Sequence, residues 1–489
     1  LKTQPNAKTK ISPGDVEPVS NWGKARNHFL NRKPSLYRTV QSKLAATKNI
    51  FDEPEEMSNW RKKKENIPSK DLAKAIQLAQ SGAYKEALKV CRKIKSKNIN
   101  NAVYHNVLGI VCRRLGLLDE ALLNSKRALQ LDKGLVAAKM NIANTELQKS
   151  NLETAINLLE RIVREEPEYH EAKANLALAY KSVGQIARAL SVYKKLKFVG
   201  LWSQKARFNY GATLVTIGNF KEGWRYYEYR WKVSPLNKVI WPIQDRPLWK
   251  GEKGKHVALW REQGIGDDVI FLSLAPEVKK MCSRLSVYVD PRLQALCKRA
   301  MPEINFVKDV EELQKVESDY YLPLGSVPGL IRNDISDFDR TVTGYFKADP
   351  QRVEAIRNEL GLGNKTVIGI SWKSFKSLNQ AKKSIRLRDF ERIFSGLDVV
   401  LVNLQYGDVD EEIREFKEAT GIDVVQCASV DNREDLDGLA ALIEVCDLVV
   451  STSNVTIHMA GALAKETWVM LPRVAVNFWW LVERTDSIW

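Results

Sequence analysis

The sequence predicts an α-helical superhelix followed by an α/β region made of two Rossmann-like halves. Two observations support this fold class. Small residues recur every 34 residues between Gly82 and Gly218, which is the period of a helix–turn–helix repeat. After about residue 254, short apolar runs alternate with helix-like stretches, as strands and helices do in parallel sheets. A chain of 489 residues is long enough for two to four domains.

The composition narrows the expected environment. The formal net charge is +17, but the basic run at 61–64 is short and has no interleaved aromatic residues. We therefore expect a solvated basic surface and no nucleic-acid partner. No apolar run reaches the roughly 18 residues of a membrane span, and the six cysteines contain no C-x-x-C pair. These features predict no transmembrane segment, reduced thiols and a cytoplasmic location. Residues 1–66, interrupted by prolines, are predicted to form a basic irregular N-terminal arm.

The repeats occupy residues 67–240 and number about five. A first row of small residues marks the predicted turn inside each repeat: Gly82, Gly116, Ser150, Gly184 and Gly218. A second row marks the place where the two helices should cross closely: Ala87, Ala121, Ala155, Ala189 and Gly223. Two rows that keep register over five units are typical of tetratricopeptide repeats, which stack into a solenoid with a concave groove.

A third row consists of asparagines. Asn141, Asn175 and Asn209 occupy the same position in three consecutive repeats. A side-chain amide both donates to and accepts from a peptide backbone, so such a row could hold an extended acceptor peptide. The row resembles the asparagine ladder in the tetratricopeptide part of protein O-linked N-acetylglucosamine transferases. The alternative is that asparagine is simply common at this repeat position.

The α/β region is predicted to fall into an N-terminal half at 254–348 and a C-terminal half at 362–489, joined by a helix at 350–360. Strands are expected at 257–260, 285–289, 320–324, 366–372, 399–404 and 447–451. Other helices are expected at 267–283, 291–301, 387–397, 408–420, 433–446 and 454–465.

The loop after the first of these strands carries two glycines, Gly264 and Gly266, followed by Asp267 and Asp268. Glycines between a strand and a helix let backbone N–H groups face an anion. The third glycine of a dinucleotide fingerprint and the Gly-Lys-Ser/Thr of a P-loop are both absent, so neither class of site is predicted. Asp267 is a candidate general base for a hydroxyl. The alternative is that it only caps the helix, and which of the two aspartates faces a cleft is left open.

Three further strand-end loops carry polar residues. Lys373 and Lys383 lie in a loop of cations and hydroxyls that follows Trp372 and could bind phosphate or simply be exposed. Tyr406, after Gln405, could stack on a base. Ser453, Asn454 and His458 open a helix whose N-terminus is a second anion site. The Asp408–Asp410 pair is expected to begin a helix, and no metal site is predicted.

Three motifs together resemble bacterial tetratricopeptide-repeat glycosyltransferases with a heptosyltransferase-like catalytic part. They are W-R-E-Q-G-I-G-D-D, S-W-K-S with K-K-S-I-R-L and L-Q-Y-G-D, and the segment around S-T-S-N-V-T-I-H. The resemblance covers about 68–489 and implies a GT-B fold and metal-independent transfer from a nucleotide-sugar, with no other cofactor. It implies Asp267 as base and a donor site that includes Gly264, Gly266, Trp372, Lys373, Lys383, Gln405, Tyr406, Ser453, Asn454 and His458. Ser453 replaces the aspartate of the family's D-T-x-x-x-H motif.

The resemblance implies an enzyme that glycosylates a protein recruited by the repeat groove. The alternative is a non-catalytic interaction or assembly scaffold with a degenerate transferase part. The sequence leaves the sugar, the nucleotide base and the oligomeric state open.

Overall fold

The computed structural model describes residues 69–233, 236, 241–243, 245–338, 344–374, 383–472, 480–481 and 484–489. The predicted arm at 1–66 lies outside these residues. The chain divides into two compact units, residues 1–145 and 146–489. The later repeats therefore belong to the same unit as the α/β region, although the sequence suggested one array at 67–240.

The repeats form pairs of short helices. The first unit contains α1 (Lys70–Gln80), α2 (Tyr84–Lys93), α3 (Ala102–Arg114), α4 (Leu118–Leu131) and most of α5 (Val136–Gln148). The second unit continues with α6 (Leu152–Glu165), α7 (His170–Ser182), α8 (Ile186–Val199), α9 (Gln204–Thr216) and α10 (Phe220–Tyr227). A 3-10 helix, Glu228–Lys232, ends the helical region.

Both rows of small residues have the predicted structural roles. Each residue of the turn row has a positive φ, between 66° and 81°, which glycine adopts without strain. Ser150 keeps this left-handed conformation at φ 66°. The alanines of the second row are fully buried between paired helices. In the last repeat, a Cβ on Gly223 would lie 2.7 Å from Val215 Cγ2, so only glycine allows this crossing.

The N-terminal half contains a four-stranded parallel sheet. Its strands are β1 (His256–Trp260), β2 (Arg284–Tyr288), β3 (Asn305–Val307) and β4 (Tyr320–Pro323), in the order β3-β2-β1-β4. The helices are α11 (Ile265–Leu272), α12 (Ala275–Met281), α13 (Gln294–Ala300), α14 (Val310–Lys315) and α15 (Pro328–Ile331). Short 3-10 helices span Pro291–Leu293, Leu324–Ser326 and Ile335–Phe338.

The C-terminal half contains a five-stranded parallel sheet in the order β7-β6-β5-β8-β9. Its strands are β5 (Thr366–Ser371), β6 (Val399–Asn403), β7 (Val424–Val425), β8 (Leu448–Thr452) and β9 (Thr467–Met470). The helices are α16 (Pro350–Leu360), α17 (Glu391–Phe394), α18 (Asp410–Thr420), α19 (Leu436–Val445) and α20 (Val455–Ala462), with a 3-10 helix at Leu387–Phe390. Both sheets follow the strand order of doubly wound α/β folds.

The structure corrects several predicted elements. The helix expected at 267–283 begins at Ile265 and is interrupted between Leu272 and Ala275. The helix expected at 387–397 is a 3-10 turn followed by one short helix. Strands β3, β7 and β9 were not predicted, because they are two to four residues long and all three lie at sheet edges.

The last repeat shares its core with the N-terminal half. Phe220, Trp224 and Tyr227 of α10 belong to the same buried cluster as Val257 and Leu259 of β1. Within the described residues, no helix combines the length and the apolar character needed to cross a bilayer.

Candidate functional site

A cavity of about 670 Å³ lies between the two sheets. Every segment that lines it follows the carboxyl end of a parallel strand. The N-terminal half contributes Arg261, 264–267 and Arg292. The C-terminal half contributes Ser374, Lys383, 406–408, Asn432, Arg433, Leu436, 453–455 and His458. Ligands of open parallel sheets bind at this edge, in the crevice that forms where the strand order reverses. Its size is within the range of small-molecule sites.

The glycine loop forms one wall of the cavity. Gly264 is the N-cap of α11, and its N–H donates to Asp267 Oδ2 at 3.1 Å. Asp267 therefore caps the helix, as the alternative interpretation of the sequence expected, and it also lines the cavity. The two interpretations are compatible, since the same carboxylate makes the capping contact and lines the cavity.

Asp268 faces the interior. Its side chain is 2% exposed and forms an ion pair with Arg261 at 2.8 Å, and it accepts the Asp290 N–H at 3.3 Å. Burial raises the pKa of the Asp268 carboxyl, and the charge of Arg261 opposes that rise. Of the two adjacent aspartates, Asp267 is the one that lines the cavity.

The two arginines of this wall are neutralised by aspartates. Arg261 Nη1 donates to Asp290 Oδ2 at 2.7 Å, and Arg292 Nε donates to Asp290 Oδ1 at 2.9 Å. Burial raises the pKa of Asp290, but the hydrogen bonds from Arg292 outweigh it and the pKa is lowered overall. Arg292 also reaches the C-terminal half, where its Nη1 donates to the carbonyl of Arg433 at 3.0 Å.

The two halves meet at Gly266 and His458. A Cβ on Gly266 would lie 3.2 Å from His458 Cδ2, so the ring packs against the bare backbone of the glycine loop. On its other side the imidazole stacks on Trp480, with ring centroids 5.8 Å apart and an angle of 13°. Burial lowers the pKa of His458 to about 3, and the charge of Lys383 adds to the effect. His458 is therefore a neutral imidazole at neutral pH.

A buried amide network fixes the start of α20. Asn454 caps the helix by accepting the Thr456 N–H at 3.0 Å, while its Nδ2 donates to Ser371 Oγ at 2.7 Å. Gln405 Oε1 accepts three hydrogen bonds, from Ser371 Oγ and from the N–H groups of Trp372 and Lys373, at 2.7–3.0 Å. Gln405 is 1% exposed and orders the carboxyl end of β5 from inside.

The remaining predicted donor residues differ in position. Lys383, Tyr406 and Ser453 line the cavity. Lys373 forms an ion pair with Glu412. Trp372 is fully buried in the core of the C-terminal half, so its side chain does not reach the cavity. Trp372 continues the face of β5 that carries Ile368 and Ile370 and packs in the same buried cluster, and a position at a strand end does not by itself indicate this face.

The asparagine row is divided between the two units. In the first unit, Asn141 is 2% exposed and its Nδ2 donates to Asn106 Oδ1 at 2.6 Å. In the second unit, Asn175 and Asn209 occupy equivalent positions of α7 and α9 and are half-buried. Asn141 thus has a side-chain partner within its own repeats, a contact that the sequence did not predict.

Sequence reasoning missed the cavity-lining residues Arg261, Arg292, Asn432 and Arg433. Arg261 directly follows β1 and Arg292 follows the end of β2, so their strand-end positions were the signal available. The described part of the chain holds no group of three or more His, Cys, Asp or Glu residues able to bind a metal ion.

Comparison with known proteins gives matches to parts of the chain. A bacterial transcriptional activator domain model matches residues 115–199. Protein FlbA of Caulobacter vibrioides is 29% identical over 341 residues, which cover 65% of this chain and 56% of FlbA. The chain therefore spans little more than half the length of this relative.

Solved structures match about a third of the chain. A thermophilic tetratricopeptide-repeat protein of Thermus thermophilus is 21% identical, with a TM-score of 0.31, over 34% of this chain and 90% of its own. A MamA fragment from Desulfovibrio magneticus is 20% identical, with a TM-score of 0.28, over 34% and 93% of the two chains. The 34-residue helical repeats, the activator-domain match and the FlbA match together support a bacterial protein with tetratricopeptide-like repeats, followed by a region of two parallel sheets.

Proposed function

We propose that this chain is a glycosyltransferase of the GT-B type that moves a sugar from a nucleotide-sugar to a hydroxyl of a protein acceptor. The observation that carries the proposal is the cavity at the facing carboxyl edges of two parallel sheets, with Asp267 on one wall and the N-terminus of α20 with Lys383 on the other. The resemblance of the chain's strand-end loops to those of heptosyltransferase-like enzymes supports the same proposal.

The C-terminal wall suits the nucleoside diphosphate. Lys383 supplies a positive charge, and the first turn of α20 presents backbone N–H groups at the positive end of the helix dipole. On the N-terminal wall, the positive charges of Arg261 and Arg292 are opposed by Asp290, which bonds both arginines, and by Asp267, so this wall offers little net charge to a diphosphate. Tyr406 also lines this wall and has a flat face for a base.

The N-terminal wall suits the acceptor. In the proposed step, the acceptor hydroxyl oxygen attacks the anomeric carbon, the bond from that carbon to the diphosphate oxygen breaks, and the hydroxyl proton passes to Asp267. The leaving diphosphate is stabilised by Lys383 and α20. His458 is neutral between the two walls and can donate or accept a hydrogen bond without adding charge.

The repeats are proposed to bind the acceptor chain. Asn175 and Asn209 lie at equivalent positions of α7 and α9, one 34-residue repeat apart, and an asparagine amide can pair with an extended peptide backbone. The acceptor is then a protein segment presented to the cavity with a serine or threonine hydroxyl.

Nucleotide binding and transfer test the proposal separately. The purified chain is screened by thermal shift against nucleoside mono- and diphosphates, and release of nucleotide from nucleotide-sugars is measured in the presence of candidate acceptor proteins. We expect one nucleotide to raise the Tm, since a ligand that binds only the folded state stabilises it. Asp267→Asn should lose at least about 100-fold in transfer rate while keeping nucleotide affinity.

Asp389→Asn is the matched control. Asp389 makes the same capping contact, accepting the Arg386 N–H at 3.2 Å, but it lies outside the cavity. Transfer by Asp267→Asn at the wild-type rate would remove the assignment of the base. Absence of any nucleotide-dependent stabilisation or turnover would instead favour the non-catalytic scaffold.

A further inference from the structure

The last repeat contacts the segment that leads into the glycine loop. Strand β1 ends at Trp260, and Arg261, Glu262 and Gln263 separate it from Gly264, the cap of α11. The side chains of Glu262 and Gln263 are held by residues of the helical region rather than by the sheet that the strand belongs to. The loop that carries Asp267 is therefore anchored on the repeat side.

Arg230 is the main anchor. Its side chain is 1% exposed and pairs with Glu262 through two parallel hydrogen bonds, Nε to Oε1 and Nη2 to Oε2, both at 2.9 Å. Two further hydrogen bonds fix the guanidinium, from Nη1 to Glu228 at 2.6 Å and from Nη2 to Ser326 Oγ at 2.7 Å. A forked arginine–carboxylate pair specifies orientation as well as distance.

Neighbouring residues leave space for this pair and add a second contact beside it. A Cβ on Gly325 would lie 2.0 Å from Glu262 Oε1, so the glycine leaves the space that the carboxylate occupies. Gln263 Nε2 donates to the Tyr227 hydroxyl at 2.7 Å, which ties the next residue of the loop to α10. Two consecutive loop residues are thus held by two residues of the last repeat and the turn that follows it.

We propose that Arg230 is a positioning residue for the Gly264–Asp267 loop, so that the last repeat is a structural part of the cavity wall rather than a separable recruiting module. The positioning itself does not depend on the chemistry of the cavity. Its effect on transfer rests on the proposed function.

The geometry predicts that loss of Arg230 loosens only one segment of the chain. Because the anchor acts on residues 262–264, removing it should free the first turn of α11, while the strands of both sheets keep their hydrogen bonds. A residue with a general structural role would instead loosen the whole N-terminal half. Native-state hydrogen exchange distinguishes the two cases, since it reports opening segment by segment.

The experiment compares the full chain with Arg230→Met and with Arg246→Met. Arg246 is a matched control because it also bonds within the N-terminal half, where its Nη1 donates to Ser318 Oγ at 3.0 Å, but it does not contact the glycine loop. Arg230→Met should raise the exchange rate of amides in 262–268 about tenfold, with 284–288 and 366–371 unchanged. Arg246→Met should leave 262–268 as in the wild type.

Tyr227→Phe is a second, milder variant that tests the proposal if Arg230→Met does not fold. It removes only the hydroxyl that binds Gln263, so it should accelerate exchange in the same segment by a smaller factor. Unchanged exchange at 262–268 in folded Arg230→Met, or an equal rise across the N-terminal half, would overturn the positioning role.

A second readout concerns the proposed chemistry. Once a nucleotide-sugar that turns over is known, Arg230→Met should lower kcat more than tenfold and leave the Kd of the nucleotide within about twofold, because the nucleotide binds mainly to the other wall. If Arg230→Met alters exchange at 262–268 but the chain binds no nucleotide, the proposed function is refuted and the positioning role is retained. A fall in nucleotide affinity equal to the fall in kcat would contradict the positioning role.

Discussion

Acid should loosen α20 through His458. The partly buried imidazole lies between Gly266 and the Trp480 ring, and its pKa is lowered from 6.5 to about 3 in the folded chain. A histidine with a depressed folded-state pKa contributes stability above its unfolded pKa and loses it as the pH falls. Opening of α20 exposes the ring to water, and protonation then favours the open state.

The size of the effect follows from the two pKa values. Between pH 6.5 and pH 5, His458 becomes protonated in the open state but stays neutral in the closed state. Protonation therefore stabilises the open state relative to the closed state by about 1.6 kcal/mol. This corresponds to a rise of roughly 16-fold in the opening equilibrium. The change should continue toward pH 3, where the folded-state imidazole begins to titrate.

Hydrogen exchange of the peptide covering Val455–Ala462 measures this opening directly. After correction for the intrinsic pH dependence of exchange, the protection factor should fall about 16-fold from pH 6.5 to pH 5 in the wild type. His458→Gln keeps a planar amide near Trp480 but does not titrate, so its protection factor should be nearly constant. Equal pH dependence in the two proteins would refute the reasoning.

Three further predictions concern stability and reactivity. Gly211→Ala would place a Cβ 2.6 Å from the backbone of Tyr226 and force α9 from α10, so thermal unfolding should show a loss of about 3 kcal/mol. Gly218→Ala, at φ 78° and with a Cβ in ordinary contact with Phe220 Cε2 at 3.9 Å, should cost only about 1 kcal/mol. Asn454→Ala removes the cap of α20 and the hydrogen bond to Ser371, and a loss of about 2 kcal/mol is expected by the same method. All six cysteines are buried as free thiols, so a thiol reagent should react rapidly only after unfolding; rapid reaction of the native chain would contradict this.

Local sequence patterns predicted much of the architecture. The turn row was predictable because a left-handed turn residue must be small or strained, and Ser150 shows the same φ at the one position where glycine is replaced. The strands at the centres of both sheets were found because they are continuous apolar runs, while the short strands at β3, β7 and β9 carry too little pattern. Helix ends were least well predicted, as the break between Leu272 and Ala275 illustrates.

The candidate site was only partly predictable. The strand-end argument identified Asp267, Lys383 and Tyr406, which line the cavity, but it also identified Trp372 and Gln405, which are buried. Strand-end position brings a residue to the correct edge of the sheet, but it does not decide whether the side chain points into the cavity or into the core. That choice depends on the packing of neighbouring elements.

The sequence by itself determined the repeat period, the close helix crossings and the loops that follow the central strands, since each depends on the size or the hydrophobicity of residues near one another in the chain. Only the tertiary structure decided that Asp267 lines the cavity while Asp268 pairs with Arg261, and that Arg230 reaches Glu262 from the turn that follows the last repeat. Asp267 and Asp268 are neighbours in the sequence, but their side chains have different surroundings. Arg230 and Glu262 are distant in the sequence but adjacent in space. A charged side chain is buried only where a partner of opposite charge lies beside it, and that partner is brought into place only when the helices and sheets pack.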